Sequence, residues 1–147
     1  MLSLMTDIDF MKYALKEAQY AYEDGEVPIG AVIVANGRVI AKAHNLTETL
    51  TDVTSYAEMQ AITIASEYLG GKYLKGCTIY VTVEPCPMCA AALAWAQIDR
   101  IVYGAKDEKR GYSLFSPPLL HPKTEVLSGI LEGECSEIVK TFFKEKR

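Results

Sequence analysis

The stretch Thr78-Ile79-Tyr80-Val81-Thr82-Val83-Glu84-Pro85-Cys86-Pro87-Met88-Cys89 decides how this chain is read. Its first six residues form the apolar, β-branched run of a buried strand. Pro85 closes the strand, and Pro87 suits the first turn of a helix, where a missing N–H costs nothing. Cys86 and Cys89 therefore sit at a strand-to-helix junction. Cysteines three apart at a helix start face one side and can grip a single metal ion. A redox pair is the other reading of the bare motif.

Working outward, the chain alternates helices and strands without repeats or a low-complexity linker. Thr6 or Asp7 can cap a first helix to about Asp24, with Phe10, Met11, Ala14, Leu15, Ala18 and Ala21 at helical spacing. Ile29 to Ala35 and Arg38 to Ala43 read as strands joined by the hairpin turn Asn36-Gly37. A loop from Asn45 to Ser55 leads to a second helix, about Tyr56 to Leu69, closed by Gly70-Gly71. A third helix runs from about Pro87 to Ala96, and a fourth strand from Arg100 to Ala105. A loop with three prolines precedes a short strand near Val126 and a last helix from about Gly133 to Lys146. An opening hairpin followed by strand–helix–strand alternation predicts an α/β fold, a mixed sheet with helices on both faces.

Composition bounds the reading without deciding it. The 147 residues suit one domain with a real core, residues 1–147. Half of them are hydrophobic and 23% charged, as in ordinary globular proteins. No apolar run approaches the ~20 residues that span a bilayer, so no membrane role is expected. The N-terminus lacks a basic region ahead of an apolar core, which predicts a cytoplasmic protein. In that compartment Cys-x-x-Cys favours metal over disulfide. Cys77 and Cys135 read as buried small hydrophobes. The net charge of −4 argues mildly against nucleic acid, although a local basic patch could still supply that role.

The element order also places the chemistry. Glu58, in Tyr56-Ala57-Glu58, falls in the first turn of the second helix, and Cys86 and Cys89 begin the third. Sites in open sheets form where strand ends meet helix starts. Two converging helix N-termini would favour thiolates at the cysteines and a hydroxide on a metal. Zinc suits the ligand types and brings the pKa of its bound water from ~15.7 towards ~7. Residues two apart on a helix point in different directions, so position 56 would meet the metal while Glu58 faces water and substrate as acid/base.

These residues match the signature of the zinc base deaminases, His-x-Glu followed by Pro-Cys-x-x-Cys, except that Tyr56 stands in the place of the histidine. The chain resembles the bacterial tRNA adenosine deaminases of the cytidine deaminase superfamily. The resemblance runs from about Asp7 to Arg147 and includes Glu26-Val27-Pro28-Ile29-Gly30-Ala31-Val32, Asn45, Thr51-Asp52 with Thr54, and the ending Thr141-Phe142-Phe143-Lys144-Glu145-Lys146-Arg147. It implies a three-layer α/β/α sandwich around a mixed five-stranded sheet, a homodimer, one Zn2+ per subunit, and conversion of adenosine to inosine at the wobble position of a tRNA anticodon.

The resemblance further implies that Glu58 shuttles a proton from metal-bound water to the ring and then to the leaving amine. Cys86 and Cys89 would bind zinc, and Asn45 would bond the flipped base. Val27 would shape the pocket wall. Phe143, Lys144, Lys146 and Arg147 would stack on and neutralise the anticodon stem-loop, with the loop around Lys106, Lys109 and Arg110. The bland alternatives are a turn-forming Asn45 and an amphipathic last helix with a solvated tail.

Tyr56 departs from the pattern, since a phenol of pKa ~10 is a poor zinc ligand beside an imidazole. Zinc could be held weakly by the two cysteines, or also by a deprotonated Tyr56 oxygen, or His44 could substitute. Position 56 could equally have changed by drift in a non-catalytic paralogue or by a single recent or introduced change. The intact Glu58, Asn45 and cysteines favour a single change that leaves activity reduced. A deaminase of free guanine or cytosine and a non-catalytic RNA-binding or dimerising subunit are the alternatives.

Overall fold

A computed structural model describes residues 4–146. The first helix, α1 (Asp7–Glu23), starts where Thr6 and Asp9 cap each other: the Asp9 N–H donates to Thr6 Oγ1 at 3.3 Å, and the Thr6 N–H to Asp9 Oδ2 at 2.9 Å. Strands β1 (Gly30–Ala35) and β2 (Arg38–His44) follow, joined at Asn36 and Gly37. Both turn residues have positive φ, 51° and 74°, as a two-residue hairpin turn requires. Then come α2 (Ala57–Leu69), β3 (Cys77–Val83), α3 (Pro87–Trp95) and β4 (Arg100–Ala105). A 3-10 turn at Tyr112–Leu114 precedes β5 (Glu125–Ser128) and α4 (Glu132–Glu145).

The strands form one sheet in the order β2-β1-β3-β4-β5. β1 pairs antiparallel with both β2 and β3, whereas β3–β4 and β4–β5 are parallel. This is the mixed five-stranded sheet that the alternation predicts. Element limits differ from the expected ones by a residue at four starts, β1 at Gly30, α2 at Ala57, β3 at Cys77 and α4 at Glu132, and at four ends, those of α1, β2, α3 and α4.

Alternation along the strands builds two cores. Ala31, Ile33, Ile79, Val81 and Ile101 face one way, onto Ala57, Ala61 and Ala65 of α2 and Leu93 of α3. Val32, Val34, Tyr80 and Val102 face the other way, onto Phe10, Met11 and Ala14 of α1 and Cys135 of α4. Each fully buried isoleucine in these layers contributes roughly 1.5–3 kcal/mol. Small residues set the spacing. A side chain at Gly30 would collide with the Ala14 carbonyl, so α1 lies almost on the backbone of β1.

The start of α1 is latched to the sheet by charge. Both oxygens of Asp7 accept from the Arg100 guanidinium at 2.8 Å, and Oδ1 also accepts the Tyr80 hydroxyl at 2.6 Å. The Arg100 contact holds the Asp7 carboxyl below its ordinary range, against partial burial. Among the described residues no helix is long and apolar enough to cross a membrane.

Candidate active site

Two helix N-termini, of α2 and α3, meet beyond the carboxyl end of β3. Tyr56 is the N-cap of α2, yet its side chain makes no capping bond. Asn45, just past β2, does so instead: its Oδ1 accepts the Ala57 N–H at 2.9 Å. Glu58, in the first turn of α2, is buried. Cys86 is the N-cap of α3, with Pro87 in the first turn and Cys89 buried behind it.

The electrostatics couple these groups. The Cys86 thiol is lowered to about 6 by a hydrogen bond from Cys89, against burial, with help from the backbone N–H groups of Cys89, Met88 and Cys86. An N-cap thiolate is what a helix start favours. Cys89 moves upward, through its bond to Cys86 and through burial. Glu58 is pushed up to about 7, first by burial and then by the negative charge of Cys86, while its own backbone N–H and Cys89 pull the other way. A carboxyl with that pKa takes and gives a proton easily at neutral pH. Tyr56 is raised by burial and by Cys86 and Cys89, with the nearby Arg110 charge opposing.

That phenol decides how well the donor set fits zinc. Cys86 and Cys89 supply the sulfur half of a zinc shell, but Tyr56 is held more firmly protonated than a free phenol. Among the described residues no group of three or more His, Cys, Asp or Glu is arranged to hold a metal ion. The sulfurs fit; position 56 does not. His44 offers no replacement. Its Nδ1 lies 3.1 Å from Glu17 Oε1 and its Nε2 lies 3.6 Å from Asp24 Oδ2, so both ring nitrogens are turned to carboxylates of α1 and its C-cap.

The remaining expected residues are spread around this cluster. Val27 is half-buried in the segment before β1, beside buried Pro28. Phe143, Lys144 and Lys146 are exposed at the end of α4, which packs with α1 on the sheet face opposite α2 and α3. They are therefore outside the cysteine–glutamate cluster. Arg147 lies outside the described residues. A groove of about 880 Å³ lined by Lys75, Trp95, Asp99 and Lys123 opens at the other end of the sheet and shares no residue with the cluster.

Two buried carboxylates lie within stretches quoted above, Glu26 before β1 and Glu84 after β3, yet the sequence assigns neither of them a role. Glu26 accepts the N–H groups of Glu48 at 3.0 Å and Thr49 at 2.6 Å, and the Thr49 hydroxyl at 2.6 Å. Burial raises its pKa, but these bonds outweigh burial and the net shift is downward. Glu84 similarly binds the loop that follows β4. Their partners come more than twenty residues later, so no local pattern marks them. The one available signal is a carboxylate abutting an apolar strand on each side of the site.

The chain matches the model of the MafB19-like deaminases over residues 5–147. The chain belongs to that family. It is 50% identical over 143 residues to the tRNA-specific adenosine deaminase of Agrobacterium fabrum, covering 94% of each chain. To the enzyme of the same name from Bacillus subtilis it is 48% identical, over 94% of this chain and 89% of that one. A solved structure from work on A-to-I editing by tRNA:A34 deaminases at the wobble position superposes with a TM-score of 0.83 at 50% identity, over 88% of this chain and 97% of the other. A guanine deaminase from Bacillus subtilis superposes less completely, with a TM-score of 0.67 at 38% identity over 69% of this chain and 66% of that one. In this MafB19-like deaminase, then, the cluster of Glu58, Cys86 and Cys89 is the candidate active site.

Proposed function

We propose that the chain acts on the wobble adenosine of a tRNA anticodon, converting it to inosine by hydrolytic deamination, with a rate held down by Tyr56. The observation that carries this reading is the buried Glu58 at the joined starts of α2 and α3, its carboxyl pushed up to about 7. Half-identity along nearly the whole chain to tRNA-specific adenosine deaminases supports the substrate. In this reading water adds to C6 of the base and ammonia leaves. Glu58 carries a proton from the water to the ring nitrogen and then to the departing amine. Asn45, whose Oδ1 is already bound to Ala57 N–H, keeps its Nδ2 donors to orient the flipped base. Extracting that base from its stack costs a few kcal/mol, which flanking contacts must offset. Phe143, Lys144, Lys146 and Arg147 are the proposed source of stacking and phosphate contacts, and Val27 lines the pocket wall.

Zinc is the metal the two sulfurs would hold, loosely, because position 56 brings no imidazole; in a full shell it supplies an activated water. The reading includes one domain over residues 1–147, a cytoplasmic location and a homodimer, for which Trp95 of α3 and Tyr68 and Leu69 of α2 offer exposed apolar surface. Tyr56 favours one second reading, a non-catalytic subunit that binds RNA or an active partner. Offering the protein with zinc an adenosine-containing anticodon stem-loop, free guanine and free cytosine separates the readings. Inosine, however slowly formed, supports the proposal. Xanthine or uracil alone points to a free-base deaminase, and no product with intact RNA binding points to the non-catalytic subunit.

A further inference from the structure

Glu84 takes no part in the chemistry assigned above, yet its buried carboxylate is fully engaged. Oε1 accepts the Asp107 N–H at 3.2 Å, and Oε2 accepts the Ser113 N–H at 3.0 Å and the Ser113 hydroxyl at 2.6 Å. Asp107 and Ser113 are the two ends of the loop that leaves β4. The same strand end adds two backbone bonds: Glu84 N–H to Ala105 O at 2.8 Å, and Tyr112 N–H to Pro85 O at 3.0 Å. Within the loop, Asp107 Oδ1 accepts the N–H groups of Lys109 at 3.0 Å and Arg110 at 2.9 Å, which curls the tip. A side chain on Gly111 would collide with the Glu84 carboxylate, so the loop backbone presses directly on it.

The loop carries cations on its outer side. Lys106, Lys109 and Arg110 are exposed, with the single exposed anion Glu108 among them, and Arg110 is near enough to act on Tyr56 at the mouth of the site. One carboxylate, two residues before the zinc-type cysteine, thus fixes where three positive charges stand.

We propose that Glu84 is a positioning residue that holds the basic loop Lys106–Arg110 in place to receive the phosphates flanking the target nucleotide. This rests on the RNA substrate reading above. A loop fixed before binding loses less conformational freedom when RNA arrives than one that must be ordered by it. The three donors share this one part-buried acceptor, and losing it would leave them to find water, drawing the loop outward. Glu84 therefore acts on binding of the strand and leaves the proton transfer at Glu58 alone.

The test is binding of the full chain to an adenosine-containing anticodon stem-loop, by fluorescence anisotropy across a range of salt concentrations. Two variants break the clamp from opposite sides: Glu84→Ala removes the carboxylate, and Gly111→Ala pushes the loop off an intact one. Each should weaken binding on the order of tenfold, the worth of one good charge-assisted hydrogen bond. Each should also reduce the salt slope by about 0.7 for every phosphate that the displaced loop no longer neutralises. Amides from Asp107 to Ser113 should lose hydrogen-exchange protection in both. Should Glu84→Ala not fold, Glu84→Gln keeps the volume and the bonds to Ser113 while losing the one to Asp107, and should give a smaller change of the same sign. Variants that melt earlier yet keep the parental affinity and salt slope would overturn the positioning role and leave Glu84 as structural support. If the parent itself shows no salt-dependent binding to the stem-loop, the RNA reading fails, and this proposal with it.

Discussion

The carboxamide oxygen of Asn45 accepts the backbone N–H of Ala57 at 2.9 Å, closing the start of α2 that Tyr56, its own N-cap residue, leaves open. One side chain thereby serves stability through Oδ1 and has only its Nδ2 donors left for a substrate. Position 45 ties the fold to the site.

Separating those roles gives the first prediction. Asn45→Ala removes the cap and leaves a buried N–H unpaired, a loss of about 1–2 kcal/mol. For a domain of this size that lowers Tm by about 3–8 °C. Asn45→Asp keeps an acceptor but no donor, so it should melt closer to the parent while binding adenosine no better than Asn45→Ala. Thermal denaturation followed by circular dichroism checks this, and an unchanged Tm in Asn45→Ala would show that the cap bond contributes nothing.

A pH prediction follows from Asp7. Its carboxyl is held below the ordinary range, chiefly by the Arg100 guanidinium, so the folded state binds its proton less readily than the unfolded chain does. The stabilisation is therefore fully present above the ordinary aspartate pKa of about 3.9 and fades as pH falls through the lower folded value. Asp7→Asn should cost about 1–2 kcal/mol at pH 7, a figure reduced for partial exposure, and little near pH 2. Urea titrations at both pH values measure it; an equal cost at both would mean that the Asp7 charge is irrelevant.

Much of the scaffold is legible in the order of residues alone. Asn36-Gly37 announces its hairpin because only residues tolerant of positive φ fill both central positions of that turn. The run Thr78 to Val83, stopped by Pro85, marks β3 and the start of α3 almost to the residue. Glu58, Cys86 and Cys89 are readable as a cluster because their spacing puts them at two helix starts beyond the carboxyl end of the central strand β3. Glu26 and Glu84 are not, because hydrogen bonds between a loop and a distant carboxylate leave no periodicity. His44 is open as a metal donor only through its adjacency to Asn45. The strand pleat sends the two side chains to opposite sides, and His44 ends among the carboxylates of Glu17 and Asp24.

The tail gives a third prediction. Phe142 is buried, with its ring centroid 5.9 Å from that of Tyr22, whereas Phe143 and the described residues after it are exposed. Deleting residues 143–147 should thus spare the fold, since the deleted segment is terminal and holds no buried side chain among its described residues. It should also weaken anticodon stem-loop binding and reduce the salt slope by up to about 2, for three cations at ~0.7 each on a single-stranded loop. Unchanged affinity after truncation would make the tail a helix end only and favour a free-base substrate.

The measurement that bears most directly on the proposed chemistry is the zinc content and inosine yield of Tyr56→His. Glu58, Asn45, Cys86 and Cys89 are already in place, so one imidazole should complete the zinc shell. Zinc should become tightly bound at one ion per chain, more tightly than in the parent by several kcal/mol within the ~10–16 kcal/mol typical of structural zinc peptides. Inosine should then form in the anticodon stem-loop at least tenfold faster than with the parent, a change of about 1.4 kcal/mol or more in the barrier. A variant fully loaded with zinc that leaves the anticodon adenosine unchanged would contradict the assignment.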